Sequence, residues 1–326
     1  MYIRDHLGHP FLQRGHSYSP AFQGFGDPPT AQVAPPIISK PRFLAKDSRC
    51  IEMPAPRLLD KKDDTLYVEI PLGFDEAQAR SGKMIKVQPM TGIYLPPAFG
   101  GFDSGRGLIL NMIVYLHGFT NAHPGDGVAI DGYWDATKNP FFALREGLKD
   151  SGRKNTILVA PTLGPKSQAG GLIFWPDTYL DQVILALVNH AGSSKYPGGT
   201  RPRYLNLVLA SHSGGGFPMR KIALGLTRYA SNLRECWGFD ALNEGSVETK
   251  EWIAWAKANP TKKLYVHYCD ARDCMSTKAQ SLNLKGSRDK PGNITVEKST
   301  ATDHFWVPLK HWKDRILQAD LPDRTP

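Results

Sequence analysis

Leu207-Val208-Leu209-Ala210-Ser211-His212-Ser213-Gly214-Gly215-Gly216 is the stretch on which the fold turns. An unbroken apolar run of strand length gives way abruptly to small residues around one serine. Phe217 to Leu226 then reads as a helix. Apolar residues at successive positions predict a strand buried on both faces. Only small side chains fit a sharp turn where a buried strand and a helix pass close by. Such a turn holds Ser213 in a strained conformation at its tip and aims a backbone N–H at whatever the hydroxyl attacks. Pro218 suits the first turn of the helix, whose N–H groups have no intrahelical partner.

Outward from this turn the chain alternates between strands and helices. Leu66 to Ile70 and Gly92 to Leu95 read as antiparallel opening strands, and Leu108 to Leu116 as a buried strand ending in His117-Gly118. Pro140 to Lys149 reads as a short helix with Phe141, Leu144 and Leu148 on one face, and Thr156 to Ala160 as the next strand. Asp177 is expected to cap a helix with apolar positions Leu180, Val183, Ile184, Leu187 and Val188, the spacing of one helical face, ended by Gly192. Strand Tyr204 to Ala210 leads into the turn. Strand Cys236 to Phe239, helix Val247 to Ala258, strands Lys263 to Tyr268 and Ile294 to Lys298, and helix Trp306 to Leu317 complete the series. This pattern predicts an α/β fold with a mainly parallel sheet, helices on both faces and functional loops at the carboxyl ends of the strands. Residues 1–60 are rich in Pro, Gly and Gln without sustained periodicity and are expected to form an extended arm; residues 61–326 are expected to form the catalytic domain.

A serine on such a turn, aspartates after the following strands, and a histidine after the last strand stand in the chain order Ser, Asp, His. From about Leu66 onward the chain resembles the α/β-hydrolase superfamily. Ser211 replaces the first glycine of that superfamily's usual G-x-S-x-G. The Ser-His-Ser-Gly-Gly stretch with Phe239-Asp240-Ala241-Leu242 also resembles a group of bacterial α/β-hydrolase proteins. The resemblance implies Ser213 as nucleophile and His304, in Ala301-Thr302-Asp303-His304-Phe305-Trp306, as general base. Other histidines fit less well: His311 falls on the following helix, His267 inside a strand, His212 beside the nucleophile, and His117 within a His-Gly turn. Three aspartates are candidates for the acid that orients the base. Asp240 ends the strand after the turn and is favoured by the narrower resemblance. Asp273 follows the next strand, the commoner position in the superfamily, and Asp270 lies nearer that strand's end. The oxyanion donors implied are the N–H groups of Gly214 and of Phe119, in His117-Gly118-Phe119-Thr120. Trp134, Trp175 and Trp306 are candidate apolar substrate walls. No insertion between Phe239 and Lys263 is large enough for a substantial cap.

The reading that follows is a serine hydrolase, a carboxylesterase acting through an acyl-enzyme on a small or polymeric ester. An acyltransferase or peptidase with the same residues, or a non-catalytic binding protein on the same fold, are the alternatives. No cofactor is expected. Asp126, Asp131 and Asp135 lack calcium-loop spacing, and Gly214-Gly215-Gly216 lacks the Lys-Ser/Thr of a phosphate loop. The 326 residues carry a net charge of +9, but with both signs interspersed and no basic block, so no nucleic-acid partner is expected. No apolar run is long enough for a membrane span, and the first residues do not read as a signal peptide, which makes a cytoplasmic location the default expectation. The four cysteines show no C-x-x-C pattern. Cys236 and Cys269 would stand at different heights on a parallel sheet, so free buried thiols are expected.

Overall fold

Successive side chains of a strand point to opposite faces of the sheet, and here both sets are apolar. In the strand Ile109–Leu116, Leu110, Met112, Val114 and Leu116 enter one hydrophobic core, while Ile113 and Tyr115 enter a second on the other face. A sheet with two apolar faces needs helices on both. The computed structural model describes residues 54–70, 76–78, 84–86, 89–97, 109–119, 131–134, 142–191, 202 and 204–322. The chain divides into Met1–Ile51 and Glu52–Pro326. Most of the expected N-terminal arm therefore lies outside the described residues.

In chain order the strands are β1 (Arg57–Lys62), β2 (Thr65–Glu69), β3 (Glu76–Gln78), β4 (Met84–Lys86), β5 (Met90–Tyr94), β6 (Ile109–Leu116), β7 (Thr156–Pro161), β8 (Tyr204–His212), β9 (Leu233–Phe239), β10 (Lys263–Tyr268) and β11 (Ile294–Lys298). The helices are α1 (Asp131–Trp134), α2 (Leu144–Ser151), α3 (Gly171–Phe174), α4 (Pro176–His190), α5 (Gly216–Gly225), α6 (Ser246–Ala258), α7 (Met275–Gly286) and α8 (Trp306–Gln318). Nine strands form one sheet in the order β1-β2-β5-β7-β6-β8-β9-β10-β11, and β3 and β4 pair separately. From β1 to β7 the pairings are antiparallel; from β7 to β11 they are all parallel. Buried residues of α4, α5, α6 and α7 line one core, and those of α1, α2 and α8 the other. This is an α/β fold, a mainly parallel sheet covered on both faces.

Several elements differ from the sequence reading. β1 begins at Arg57, inside the expected arm, and its mostly exposed residues gave no alternating signal. Helix α7 was unforeseen because its face is weakly apolar, with Leu284 and the small polar Thr277 and Ser281 buried. Asp177 does not cap α4, which starts one residue earlier with Pro176 in its first turn. The Asp177 carboxylate instead accepts the N–H groups of Thr227, Arg228 and Tyr229, tying the loop after α5 to the start of α4. Trp134 is fully buried, edge-on to Tyr67 at 6.0 Å, so it is core rather than a substrate wall. Among the described residues no helix is long and apolar enough to cross a membrane.

The cysteine expectation also needs correction. Cys269 and Cys274 form a disulfide with Cα atoms 5.7 Å apart, leaving Cys236 free and buried. The tight turn Arg272–Cys274 after β10 folds Cys274 back onto the strand end, a local reversal that a C-x4-C spacing does not announce.

The strands from β6 to β10 run parallel, so their carboxyl ends share one edge, where the β8–α5 turn lies between the loops after β6 and β9. A Cβ on Gly215 would stand 2.1 Å from the Leu116 carbonyl oxygen, and one on Gly216 would stand 1.8 Å from that of Ala241. Both neighbours are backbone and cannot swing away. Gly216→Ala is expected to lower stability by roughly 1–3 kcal/mol or more, the range for overpacking. Gly286→Ala, with open space at its Cβ, is expected to stay within about 0.5 kcal/mol of the parent. Thermal melts of the two variants check this; equal melting temperatures would refute it.

Candidate active site

Four loops that follow parallel strands meet at this edge. After β8 comes Ser213, in the left-handed region at φ 54°. After β9 comes Asp240, also left-handed at φ 49°, a conformation that aspartate tolerates better than most residues. The Asp240 N–H donates to the His267 carbonyl at 2.7 Å, which fixes the strained backbone to β10. After β10 comes Cys269, whose N–H donates to Asp240 Oδ1 at 3.2 Å. After β11 comes His304, with Nδ1 2.5 Å from Asp240 Oδ2.

Asp240 is fully buried and His304 largely so. An ionised carboxylate only accepts, so Nδ1 carries the proton and donates it to Asp240. Nε2 then carries no proton. The His304 ring lies 4.4 Å from that of His212, the residue before Ser213, so the histidine loop stands beside the turn that carries the serine. His212 is buried and its Nε2–H donates to the His304 carbonyl at 3.2 Å. Burial, reinforced by the neighbouring His304, holds His212 well below the ordinary histidine range, so it stays neutral. It shares its face with Phe142 and Phe305, 5.3 and 6.2 Å away ring to ring.

The loop after β6 is held by His117. Leu163 N–H donates to Nε2 at 2.9 Å, so Nδ1 is the protonated nitrogen and donates to the Gly118 carbonyl at 2.7 Å. Burial lowers this histidine to about 4, against the opposing effect of its bond to Gly118. A Cβ on Gly118 would stand 2.7 Å from Ser213 Cβ, and one on Gly214 would meet the Phe119 ring at 2.4 Å. Phe119 and Gly214, the two residues expected to offer oxyanion N–H groups, are thus packed against each other beside Ser213.

Asp270 is exposed and ion-paired to Lys278 and Lys298, whose hydrogen bonds hold its carboxyl down to about 2. It does not reach His304. Asp273 belongs to the Arg272–Cys274 turn, and its side chain lies outside the described residues. His311 hydrogen-bonds Ser299 Oγ at 2.7 Å and stacks on His267 at 4.0 Å. Trp306 opens α8 two residues after His304. Trp175 directly precedes α4, about half exposed, with its ring 6.2 Å from that of Phe174.

Two contributors went unread in the sequence. Asn243 Nδ2 donates to the Ser213 carbonyl at 2.9 Å, while its own N–H is held by the buried Glu248. Ser167 Oγ donates to the His117 carbonyl at 3.1 Å. Each is a single polar residue in a polar loop, and only the folded chain brings it to the site.

No protein-family model matches the chain, and none of the curated proteins does. Solved structures match it at low identity. A thermostable esterase is 12% identical over 78% of this chain and 61% of that chain, with a TM-score of 0.42. A fluorophosphonate-binding serine hydrolase of Staphylococcus aureus is 11% identical over 74% and 96%, with a TM-score of 0.42. A serine hydrolase homologue from Coxiella burnetii is 14% identical over 74% and 94%, with a TM-score of 0.38. The chain spans about three fifths of the first of these. Likenesses this distant leave the chemistry to be argued from the site itself.

Buried histidines make the domain sensitive to acid. Besides His117, His267 is lowered to about 3, by burial first and then by His311 and Arg315. Neither of its ring nitrogens has a hydrogen-bond partner among the described residues, and Glu297 Oε2 is 3.8 Å from Nδ1. Both groups bind a proton more weakly folded than unfolded. Their full contribution is therefore present above an unfolded value of about 6.5 and is lost as pH falls toward 4 and 3. At pH 5 the cost is on the order of 2 kcal/mol for each. The melting temperature is expected to drop between pH 7 and pH 5, less steeply in His267→Phe. A flat profile over this range would disprove it.

Proposed function

We propose that the protein is a serine hydrolase that cleaves a carboxylic ester through an acyl-enzyme, with Ser213 as nucleophile, His304 as general base and Asp240 as the acid that orients it. One observation carries this reading: the buried Asp240 carboxylate accepts His304 Nδ1–H at 2.5 Å, beside a serine in a left-handed turn.

The tautomer that this bond requires leaves Nε2 unprotonated, able to take the Ser213 hydroxyl proton as Oγ attacks the ester carbonyl. The imidazolium so formed lies against the Asp240 charge, in a buried setting where their attraction is strong. The carbonyl oxygen becomes an oxyanion. Its donors in this reading are the N–H groups of Phe119 and Gly214, at the positive end of α5. His304 then returns the proton to the departing alcohol, leaving Ser213 acylated. Water, deprotonated by the same Nε2, releases the acid and regenerates the serine. Neutral His212 supports the step electrostatically, since a charged neighbour 4.4 Å away would oppose imidazolium formation.

Ser213→Ala should fold normally yet lose both turnover of short p-nitrophenyl esters and labelling by a fluorophosphonate. Asp240→Asn should cost about 10⁴-fold in kcat by stabilising the wrong tautomer. His304→Ala should lose at least ~10³-fold. Asp270→Asn should change little. Wild-type labelling in Ser213→Ala would sink the proposal, and an unimpaired Asp240→Asn would remove Asp240 from it.

A further inference from the structure

Behind Asp240 lies a group of side chains that ester cleavage does not use. Cys269 follows β10 directly, and Cys274 closes the turn beyond it. Their sulfurs and an Asp240 carboxylate oxygen all lie within 4.8 Å of one another, and all three residues are buried. In the oxidised chain the two sulfurs are bonded. The turn does not depend on that bond alone: Cys274 N–H donates to the Ala271 carbonyl at 3.1 Å, and Thr277 Oγ1 donates to the Cys274 carbonyl at 2.8 Å. Asp240 is held independently by its N–H bond to the His267 carbonyl. The backbones of Cys274 and Asp240 therefore have local supports that survive cleavage of the disulfide.

We propose that reduction turns this group into a binding site for a soft divalent cation, with Zn²⁺ the ion that fits, and that filling it disables Asp240. The second half rests on the acid role given to Asp240 above. An external dithiol supplies two electrons and two protons to the Sγ–Sγ bond, giving two thiols, and leaves as its own disulfide. Zinc binding then expels the two thiol protons and takes both thiolates and the carboxylate, with a fourth position left for water. Ligand atoms around a tetrahedral zinc stand roughly 3.5–4 Å apart, so the two sulfurs, bonded in the oxidised chain, must separate on reduction while the carboxylate oxygen already lies within 4.8 Å of both. Two thiolates select zinc over magnesium or calcium. Coordination takes a carboxylate oxygen of Asp240 as a donor to the metal, so the carboxylate holds His304 Nδ1–H less strongly. The C-x4-C spacing hid this site, because the third ligand comes from another strand, 29 residues before Cys269.

The test uses the full chain, reduced by a dithiol, freed of it, and exposed to Zn²⁺ alone. Zinc retained through gel filtration is counted with a colorimetric chelator, and circular dichroism checks folding. The reduced chain should keep about one zinc. The oxidised chain and Cys269→Ser/Cys274→Ser should keep none, and reduced Asp240→Asn should bind ~10-fold or more weakly. Fluorophosphonate labelling of the zinc-loaded reduced chain should fall ~10-fold or more and return on chelation. Equal zinc in the oxidised or double-serine chain overturns the site. So does a reduced chain that takes no zinc, folded or unfolded, or an unchanged affinity in Asp240→Asn. Zinc bound with labelling intact overturns the coupling to Asp240. If no form labels at all while zinc still binds only the reduced chain, the ester reading fails and the metal site stands.

Discussion

Close approach of backbones at the β8–α5 turn is the constraint on which this site depends. Strand β8 ends between β6 and β9, and helix α5 must leave the sheet edge at once. Gly215 and Gly216 lie against the carbonyls of Leu116 and Ala241 with no room for a methyl group. With both sides closed, the residue at the tip takes the left-handed conformation and its side chain is carried above the strand ends. The same crowding fixes the neighbours. Gly118 brings the β6 loop against Ser213, and Asn243, from the loop after β9, holds the Ser213 carbonyl. Strain at the serine is thus maintained by rigid backbone on both sides, as strained functional residues require.

Charge is organised around that geometry. Asp240 buries its carboxylate at the end of β9, but its oxygens accept from Cys269 N–H and His304 Nδ1–H, so the charge has partners. At the opposite end of β9, buried Glu235 pairs with Arg315 of α8 at 2.9 Å and accepts from Trp237 Nε1 at 2.7 Å. This second link ties the helix that follows His304 to the strand that precedes Asp240. A buried ion pair contributes little net stability, but removing one partner costs several kcal/mol. Its value here is registration: it fixes α8 along β9 and thereby the height of the histidine loop.

The same buried region carries costs. His117, His212 and His267 are all kept neutral by burial, two of them in the loops that shape the site. The hydrogen bonds of His117 and His212 require fixed tautomers, which makes these two useful struts near neutral pH, and all three histidines are liabilities in acid. The disulfide after β10 lies within this group too, directly behind the aspartate on which the histidine leans.

The primary structure by itself determined the elements with strong local signals. The apolar run into Ser213, the helical spacing through Leu180 to Val188 and the alternation of strands and helices are short-range patterns, and they specify a parallel sheet with a serine on a sharp turn. The places of Ser213 and His304 after their strands were legible because chain order and strand ends are themselves sequence properties. Which aspartate meets His304 was not, since Asp240, Asp270 and Asp273 all follow strands. Only strand register and backbone conformation turned Asp240 inward, while Lys278 and Lys298 drew Asp270 outward. The Cys269–Cys274 bridge and the support from Asn243 were likewise decided by tertiary structure. Each depends on where a loop folds back in space, and that is set by packing across the sheet edge, which carries no periodic trace in the sequence.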